Sequence, residues 1–304
     1  MKVVFLDAAT LPTTLRFQNP AVEYSAYSST AQAAVIDRIR DATVVITNKV
    51  RLGAEELRAA RQLRLVAVAA AGTDNIDQDT AAQLGIRVAN VPDYGSDSVA
   101  EHVIATLFAL RRHIVTYASA ALDGRWTASE HFCWNGPRIR DVGGSLFGVV
   151  GRGRIGEAAA RLARGLGMEV FFAQTPGKPC RGDELPLDQL LARADVLTLH
   201  VPLTPDTRGM IGKESLARMK RDAVIINTGR GALVDAPALV SALHEGLIAG
   251  AAIDVLDVEP PPADHPLLAG GVPNLLVTPH VAWASENAQA RLASKLEQLV
   301  EKEL

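Results

Sequence analysis

Residues 150–156 read VGRGRIG, which sets Gly151, Gly153 and Gly156 in the spacing G-x-G-x-x-G. The run follows an apolar stretch, LFGVV (146–150), that reads as a strand. It leads into EAAARLARGLG (157–167), which reads as a helix. Strand, glycine turn and helix in this order are what a dinucleotide pyrophosphate requires. The first glycine permits the tight turn, the second lets the backbone approach the phosphates, and the third lets the helix pack close to its strand. The free N–H groups and positive dipole end of the helix then face the anion.

Working outward, short apolar or β-branched runs alternate with helical patterns on both sides of this turn. Strands are predicted at residues 3–6, 44–47, 65–69 and 87–89, then at 146–150, 169–173, 196–200, 223–227, 249–254 and 275–278. Helical patterns intervene at 31–40, 54–61, 154–166, 213–219 and 235–245. Parallel strands need crossover helices, and many of these strands are apolar without alternation, as when both faces are buried. The expected fold is therefore α/β. SDSVAEHVIATLFALRRHIVTYASAAL (96–122) reads as one long helix, leaving the first α/β unit and entering the second. ENAQARLASKLEQLVEKEL (286–304) reads as a final helix that returns to the first unit. The expected division is 1–98 plus 287–304 for one discontinuous domain and 99–286 for the dinucleotide domain.

Composition narrows the partners. The chain has 304 residues, 48% hydrophobic and 21% charged, with 31 basic against 34 acidic residues. The resulting charge of −3 offers no field for nucleic acid or an anionic membrane. Two cysteines, Cys133 and Cys180, make neither a disulfide framework nor a zinc site, and no metal is expected. MKVVFLDAAT does not read as a signal peptide, and no apolar run reaches membrane-helix length. The expectation is a cytoplasmic protein.

Further segments fall at the carboxyl ends of predicted strands, where ligands bind in open α/β sheets. They are AAAGTDNID (69–77), NTGRG (227–231), DVLDVEPPP (254–262) and TPHVAWAS (278–285). With GRGRIG and HVPLTPDTRGMIG (200–212), in order and across nearly the whole chain, they resemble the D-isomer-specific 2-hydroxyacid dehydrogenases. FLDAATLP, AVAAAGTDNID, EHFCWNGP and TPHVAWAS look most like the glycerate dehydrogenase (hydroxypyruvate reductase) branch. The resemblance implies two doubly wound parallel-sheet domains: a Rossmann NAD(P)-binding domain and a flavodoxin-like substrate domain. It also implies NAD(P)H as cofactor and a small 2-keto or 2-hydroxy acid as substrate, with hydroxypyruvate or glyoxylate expected.

Reduction of a 2-keto acid needs a carboxylate anchor, a polarised carbonyl and a proton donor. Arg230 suits the first two tasks, because its guanidinium is always charged and forks onto adjacent oxygens. His280 suits the third, because imidazole titrates near neutrality. Glu259 as the partner that orients His280 is what the resemblance implies. Ala71, Gly72 and Thr73 are expected to offer backbone N–H groups to the carboxylate, and Asn48 and Lys49 to line the substrate pocket. Trp283 and Ser285 are read as shaping the pocket mouth, with Trp283 equally readable as core.

The resemblance also implies a cofactor site. Arg154 and Ile155 follow Gly153 and offer helix-start amides. Gln174 and Thr175 end the next strand. His200, Val201, Pro202 and Thr207 form the loop near the adenosine ribose. Thr228, Gly229, Asp254 and Ala282 lie toward the nicotinamide, where Asp254 accepts from its carboxamide. An NAD-preferring site carries Asp or Glu about 20 residues past the glycines. Here Gln174 stands instead, with Lys178 and Arg181 nearby, so relaxed cofactor choice is expected, with NADPH used at least as readily as NADH. The 96–122 helix and the loop after it resemble the family's dimer contacts, and a homodimer is expected. Two other readings keep the same fold: a non-catalytic NAD(H)-sensing protein like the corepressors, and a formate or phosphite dehydrogenase.

Overall fold

The computed structural model describes residues 1–303, which form two compact units. One comprises Met1–Gly95 with the segment from Ala284 onward, and the other Ser96–Trp283.

The first unit carries β1 (Lys2–Phe5), β2 (Glu23–Ala26), α1 (Val35–Ile39), β3 (Val44–Thr47), α2 (Ala54–Ala59), β4 (Leu65–Val68), α3 (Gln78–Gln83) and β5 (Arg87–Asn90). Its five strands are all parallel, in the order β2-β1-β3-β4-β5. This is the flavodoxin-like order, whose switch point lies between β1 and β3. β3 and β4 are buried along their whole length, which explains their unbroken apolar sequences VVIT and LVAV. The edge strand β2 has no such signature: EYSA is half-exposed and polar, and nothing in its sequence announced it.

The second unit carries α4 (Ser96–Arg111), α5 (Ile114–Leu122), β6 (Leu146–Val150), α6 (Arg154–Gly165), β7 (Glu169–Ala173), β8 (Glu184–Leu185), α7 (Leu187–Arg193), β9 (Val196–Leu199), α8 (Lys213–Arg218), β10 (Val224–Asn227), α9 (Ala236–His244), β11 (Gly250–Ile253) and β12 (Leu275–Val277). Seven parallel strands lie in the order β12-β11-β10-β9-β6-β7-β8. The switch point falls between β6 and β9, so the glycine turn sits where an open sheet binds its ligand. One core layer packs α4 and α6 on the sheet through Leu107, Ala159, Ala163, Phe147 and Phe172. The other packs α7 to α9 through Leu190, Leu216, Leu239 and Ile225.

The single helix expected over 96–122 is two helices. The chain turns left-handed at His113, with φ 50°, and α5 starts on a new axis. No glycine or proline marks the break. His113 is drawn instead toward the Arg138 backbone and the Asn274 side chain, a tertiary contact that overrides local helical pattern.

The last helix, α10 (Glu286–Glu301), packs on the first unit with Leu292, Leu296 and Val300 buried along one face. Ser285 caps α10, its hydroxyl accepting from the Ala288 N–H at 3.2 Å. Among the described residues no helix is long and apolar enough to cross a membrane.

Candidate active site

Three consecutive strand ends of the second unit bring the expected chemistry to one sheet edge. β10 ends in the turn Asn227–Arg230, β11 runs into Asp254, and β12 runs into Thr278 and His280. Asn227, fully buried, staples its own turn. Its Nδ2 donates to the Arg230 carbonyl at 2.9 Å, and its Oδ1 accepts from the Gly229 N–H at 3.1 Å. That turn presents Arg230, whose Nη1 donates to the Gly229 carbonyl at 2.8 Å.

His280 and Glu259, 21 residues apart, meet at 2.6 Å between Nδ1 and Oε2. The other carboxylate oxygen of Glu259 accepts from the Leu256 N–H at 2.8 Å, which fixes the carboxylate's orientation. His280 itself is left-handed, with φ 54°, an unfavourable conformation for a residue with a Cβ. A buried carboxylate holds it there. Asp254 Oδ1 accepts from the Thr278 hydroxyl at 2.6 Å and the Val281 N–H at 3.0 Å. Oδ2 accepts from the Ala282 N–H at 3.0 Å, and the Asp254 carbonyl accepts from the His280 N–H at 2.8 Å. Thr278 Oγ1 also lies 3.2 Å from His102 Nε2 on α4. Asp254 is thus engaged with the loop carrying His280, a role its position in the sequence did not reveal. Trp283 closes this loop, its Nε1 donating to the His280 carbonyl at 3.1 Å.

A second histidine supports the Glu259 loop. His265, buried, accepts from the Leu267 N–H through Nδ1 at 3.2 Å and pairs through Nε2 with Asp257 Oδ1 at 2.9 Å. That contact draws the Asp257 carboxyl below its usual range. Neither residue carries a motif signal. Their roles emerge only when the loop is folded.

The glycine turn fits a dinucleotide on its own geometry. Gly151 has φ 109°, and a Cβ there would lie 2.6 Å from the His200 carbonyl. A Cβ on Gly156 would lie 2.1 Å from the Gly151 carbonyl oxygen, so only glycine lets α6 start this close to the turn. Space over Gly153, the residue preceding α6, is open to 4 Å, and no side chain caps the helix. The amides of Arg154 and Ile155 at the start of α6 are therefore suitably arranged for phosphate. The Thr228 hydroxyl is buried without a hydrogen-bond partner among the described residues, as a group awaiting a ligand would be.

Other expected cofactor residues have local structural work. Thr207 Oγ1 donates to the Pro202 carbonyl at 2.8 Å and accepts from Thr204 N–H at 2.8 Å, shaping the loop after Val201. His200 Nε2 lies 3.0 Å from Thr198 Oγ1, and burial pushes its imidazole down to about 4. Gln174 turns its Nε2 back to the Lys178 carbonyl at 2.6 Å, and Thr175 begins the same loop. Arg152, inside the glycine motif, pairs with Asp183 at 2.7 Å and Glu157 at 2.8 Å and lies over the Phe172 ring. It ties the 174–183 loop to the turn.

In the first unit the expected substrate residues follow β3 and β4. Asp7, just past β1 and 5% exposed, accepts from the backbone N–H groups of Asn48 (2.8 Å), Lys49 (2.6 Å) and Val50 (3.3 Å). One buried carboxylate thereby fixes the loop at the switch point. Ala71, Gly72 and Thr73 form the turn after β4, where the Ala71 carbonyl accepts from Asn90 Nδ2 at 2.5 Å. Asp77 caps α3 by accepting from Thr80 N–H at 2.9 Å.

Residues 104–282 match the D-isomer specific 2-hydroxyacid dehydrogenase, NAD binding domain family. The chain is 45% identical over 302 residues to the glycerate dehydrogenase of Methylorubrum extorquens, covering 99% of this chain and 95% of the relative. It is 37% identical to the hydroxypyruvate reductase of Blautia hydrogenotrophica, covering 96% and 93%. Among solved structures it is similar to an NADPH-dependent glyoxylate/hydroxypyruvate reductase from Sinorhizobium meliloti in complex with NADP and malonate. That likeness has a TM-score of 0.81 at 28% identity, covering 99% of this chain and 92% of the other.

Proposed function

The chain belongs to the D-isomer-specific 2-hydroxyacid dehydrogenases, and from that membership we propose that it reduces hydroxypyruvate or glyoxylate to the 2-hydroxy acid. It is an NAD(P)-dependent oxidoreductase acting on the CH–OH group. The observation that carries the reduction reading is the 2.6 Å His280–Glu259 pair on the same sheet edge as the Arg230 turn.

Each side chain has a distinct task. Arg230 holds the substrate carboxylate and polarises the carbonyl through its fork of donors. The backbone N–H groups of Ala71, Gly72 and Thr73 are assigned to the same carboxylate, and Asn48 and Lys49 to the pocket wall. His280 keeps Nδ1 on Glu259, so Nε2 gives the proton to the carbonyl oxygen as that oxygen gains negative charge. Glu259 holds the ring's orientation and stabilises its protonated form. The nicotinamide coenzyme, when bound, supplies the hydride. Arg154 and Ile155 receive its pyrophosphate through their amides, and Thr228, Gly229 and Ala282 serve its nicotinamide end. Absence of a carboxylate at Gln174 supports NADPH as a donor at least as good as NADH.

A homodimer in the cytoplasm is part of the same reading. Ile114, Val115, Leu122, Trp126 and Phe132, on α5 and the segment after it, expose apolar surface, with Leu122 89% and Phe132 93% exposed. A single copy has no use for such a patch, and a second copy would cover it. Light scattering checks this, with a dimer mass expected.

The test of function is a set of 2-keto acids assayed with NADPH and with NADH at the nicotinamide absorbance band. Turnover of hydroxypyruvate and glyoxylate is expected. Tight coenzyme binding with no turnover of any 2-keto acid would refute the enzyme reading and favour a coenzyme sensor.

A further inference from the structure

A cavity of about 330 Å³ opens on the amino edge of the second unit's sheet, opposite the glycine turn. Arg221 and Asp222 precede β10, Ala249 precedes β11, His113 forms the α4–α5 break, and Arg138 and Arg140 come from the segment before β6. Elements distant in sequence thus converge on one concavity, and none of them takes part in the reduction.

Charge is unbalanced there. Asp222 pairs with Arg140 at 2.7 Å, Asp141 with Arg112 at 3.0 Å, and Asp195 with Lys220 at 2.9 Å. Each nearby acid therefore has its own base, and Arg111, Arg138 and Arg221 remain in surplus. The side chains of Arg138 and Arg221 have no hydrogen-bond or ion-pair partner among the described residues. Arg111 is 7% exposed, and of its guanidinium nitrogens only Nη2 is bonded, to the Asp141 carbonyl at 2.8 Å. Its Nε and Nη1, and Nδ1 of His113, are buried without a partner among the described residues. Arg111 stands behind the cavity wall, its carbonyl accepting from the Arg140 N–H at 3.0 Å, and its buried guanidinium adds positive charge to that wall.

We propose that this cavity is a second anion site, for a compact polyanion such as a phosphate or a di- or tricarboxylate. Guanidinium forks match phosphate and carboxylate oxygens in pairs, and two or more negative charges are needed to balance the surplus. The volume suits a small metabolite rather than a second dinucleotide. Burial lowers the pKa of His113, so it serves as a neutral hydrogen-bonding group while the arginines carry the charge. The site stands apart from the coenzyme's phosphates, which face the opposite edge of the same sheet.

The test is calorimetric titration of the full chain, saturated with NADPH to block the glycine turn, with inorganic phosphate and separately with citrate. Saturable binding of one anion per chain is expected, weakening as salt rises. The double variant Arg138→Gln/Arg221→Gln changes exposed side chains, so it should fold and keep its kcat, yet bind the anion at least about tenfold more weakly. A rise in Tm with phosphate or citrate should appear in the parent and vanish in the variant. Binding by only one of the two anions identifies its class. Failure of both to bind, or equal binding by the variant, overturns the site. So does a variant whose only change is its oligomeric mass, because a second copy would then be closing this face.

Discussion

His280 Nδ1 and Glu259 Oε2 lie 2.6 Å apart, and backbone bonds hold both partners in place. Leu256 N–H fixes the far oxygen of Glu259, and the Asp254 carbonyl takes the His280 N–H. A pair held this way is organised before substrate arrives, and it assigns the proposed proton transfer to Nε2.

Replacing His280 with Ala removes the proposed proton donor. kcat/KM for hydroxypyruvate should fall by about 10² to 10⁴ while the Kd for coenzyme stays within about twofold. Glu259→Gln keeps a side chain of the same size but loses the charge, and a smaller loss of about 10- to 100-fold in kcat is expected. Near-parent kcat in His280→Ala would refute the assignment.

Arg230→Lys separates charge from geometry. Lysine keeps the positive charge but cannot fork onto two oxygens. KM for the keto acid should rise by roughly tenfold or more, with a further loss in kcat, measured by steady-state kinetics. An unchanged KM would place Arg230 outside the substrate site.

Thr278 tests how the His280 loop is held. Thr278→Val keeps the shape but removes the hydroxyl that bonds Asp254, and the buried carboxylate loses a donor at a cost of about 1–3 kcal/mol. kcat should fall while coenzyme Kd is little changed, and Thr278→Ser should restore most of it. A defect in Thr278→Ser with parent-like kcat in Thr278→Val would point to methyl packing rather than the hydrogen bond.

Gln174→Asp installs the missing carboxylate at the end of β7. Repulsion of the 2′-phosphate should lower kcat/KM with NADPH by about tenfold or more, with NADH use maintained or improved. The ratio of the two kcat/KM values is the measurement, and an unchanged ratio removes Gln174 from coenzyme choice.

His200 predicts an acid limit to stability. Folded, its imidazole sits at about 4 against an ordinary 6.5, so between those values only the unfolded chain takes up the proton. Its contribution is therefore complete above pH 6.5 and is lost as pH falls toward 4, amounting to at most about 3 kcal/mol. Burial lowers His113 in the same direction. Urea midpoints at about pH 7.5 and about pH 5 should differ in the parent, and His200→Gln should narrow the gap. An equal gap in the variant would assign the slope elsewhere.

Much of this molecule is legible as a string because parallel α/β sheets write themselves in runs of period and composition. VVIT, LVAV and VIIN are unbroken because helices cover both faces of their strands. The glycine turn, NTGRG and TPHVAWAS are visible because each sits where a strand must stop and a polar loop begin. EYSA at β2 and EL at β8 were not visible, because an edge strand needs only a neighbour's backbone and no apolar face. The break at His113 was hidden too, since the groups it meets, the Arg138 backbone and the Asn274 side chain, come from later segments of the chain.

The candidate site divides along the same line. Sequence alone determined the order of the strands and offered Arg230 and His280 as candidates by residue type and motif position, with Glu259 added by the family resemblance. Tertiary structure decided what holds them. Asp254 became the clamp of the His280 loop, Asn227 the staple of the Arg230 turn, and Asp7 the anchor of the Asn48 loop. Each is a buried polar group whose partners are mostly backbone N–H or C=O groups. A backbone group has no residue type to read, so only the fold reveals where its hydrogen bonds go.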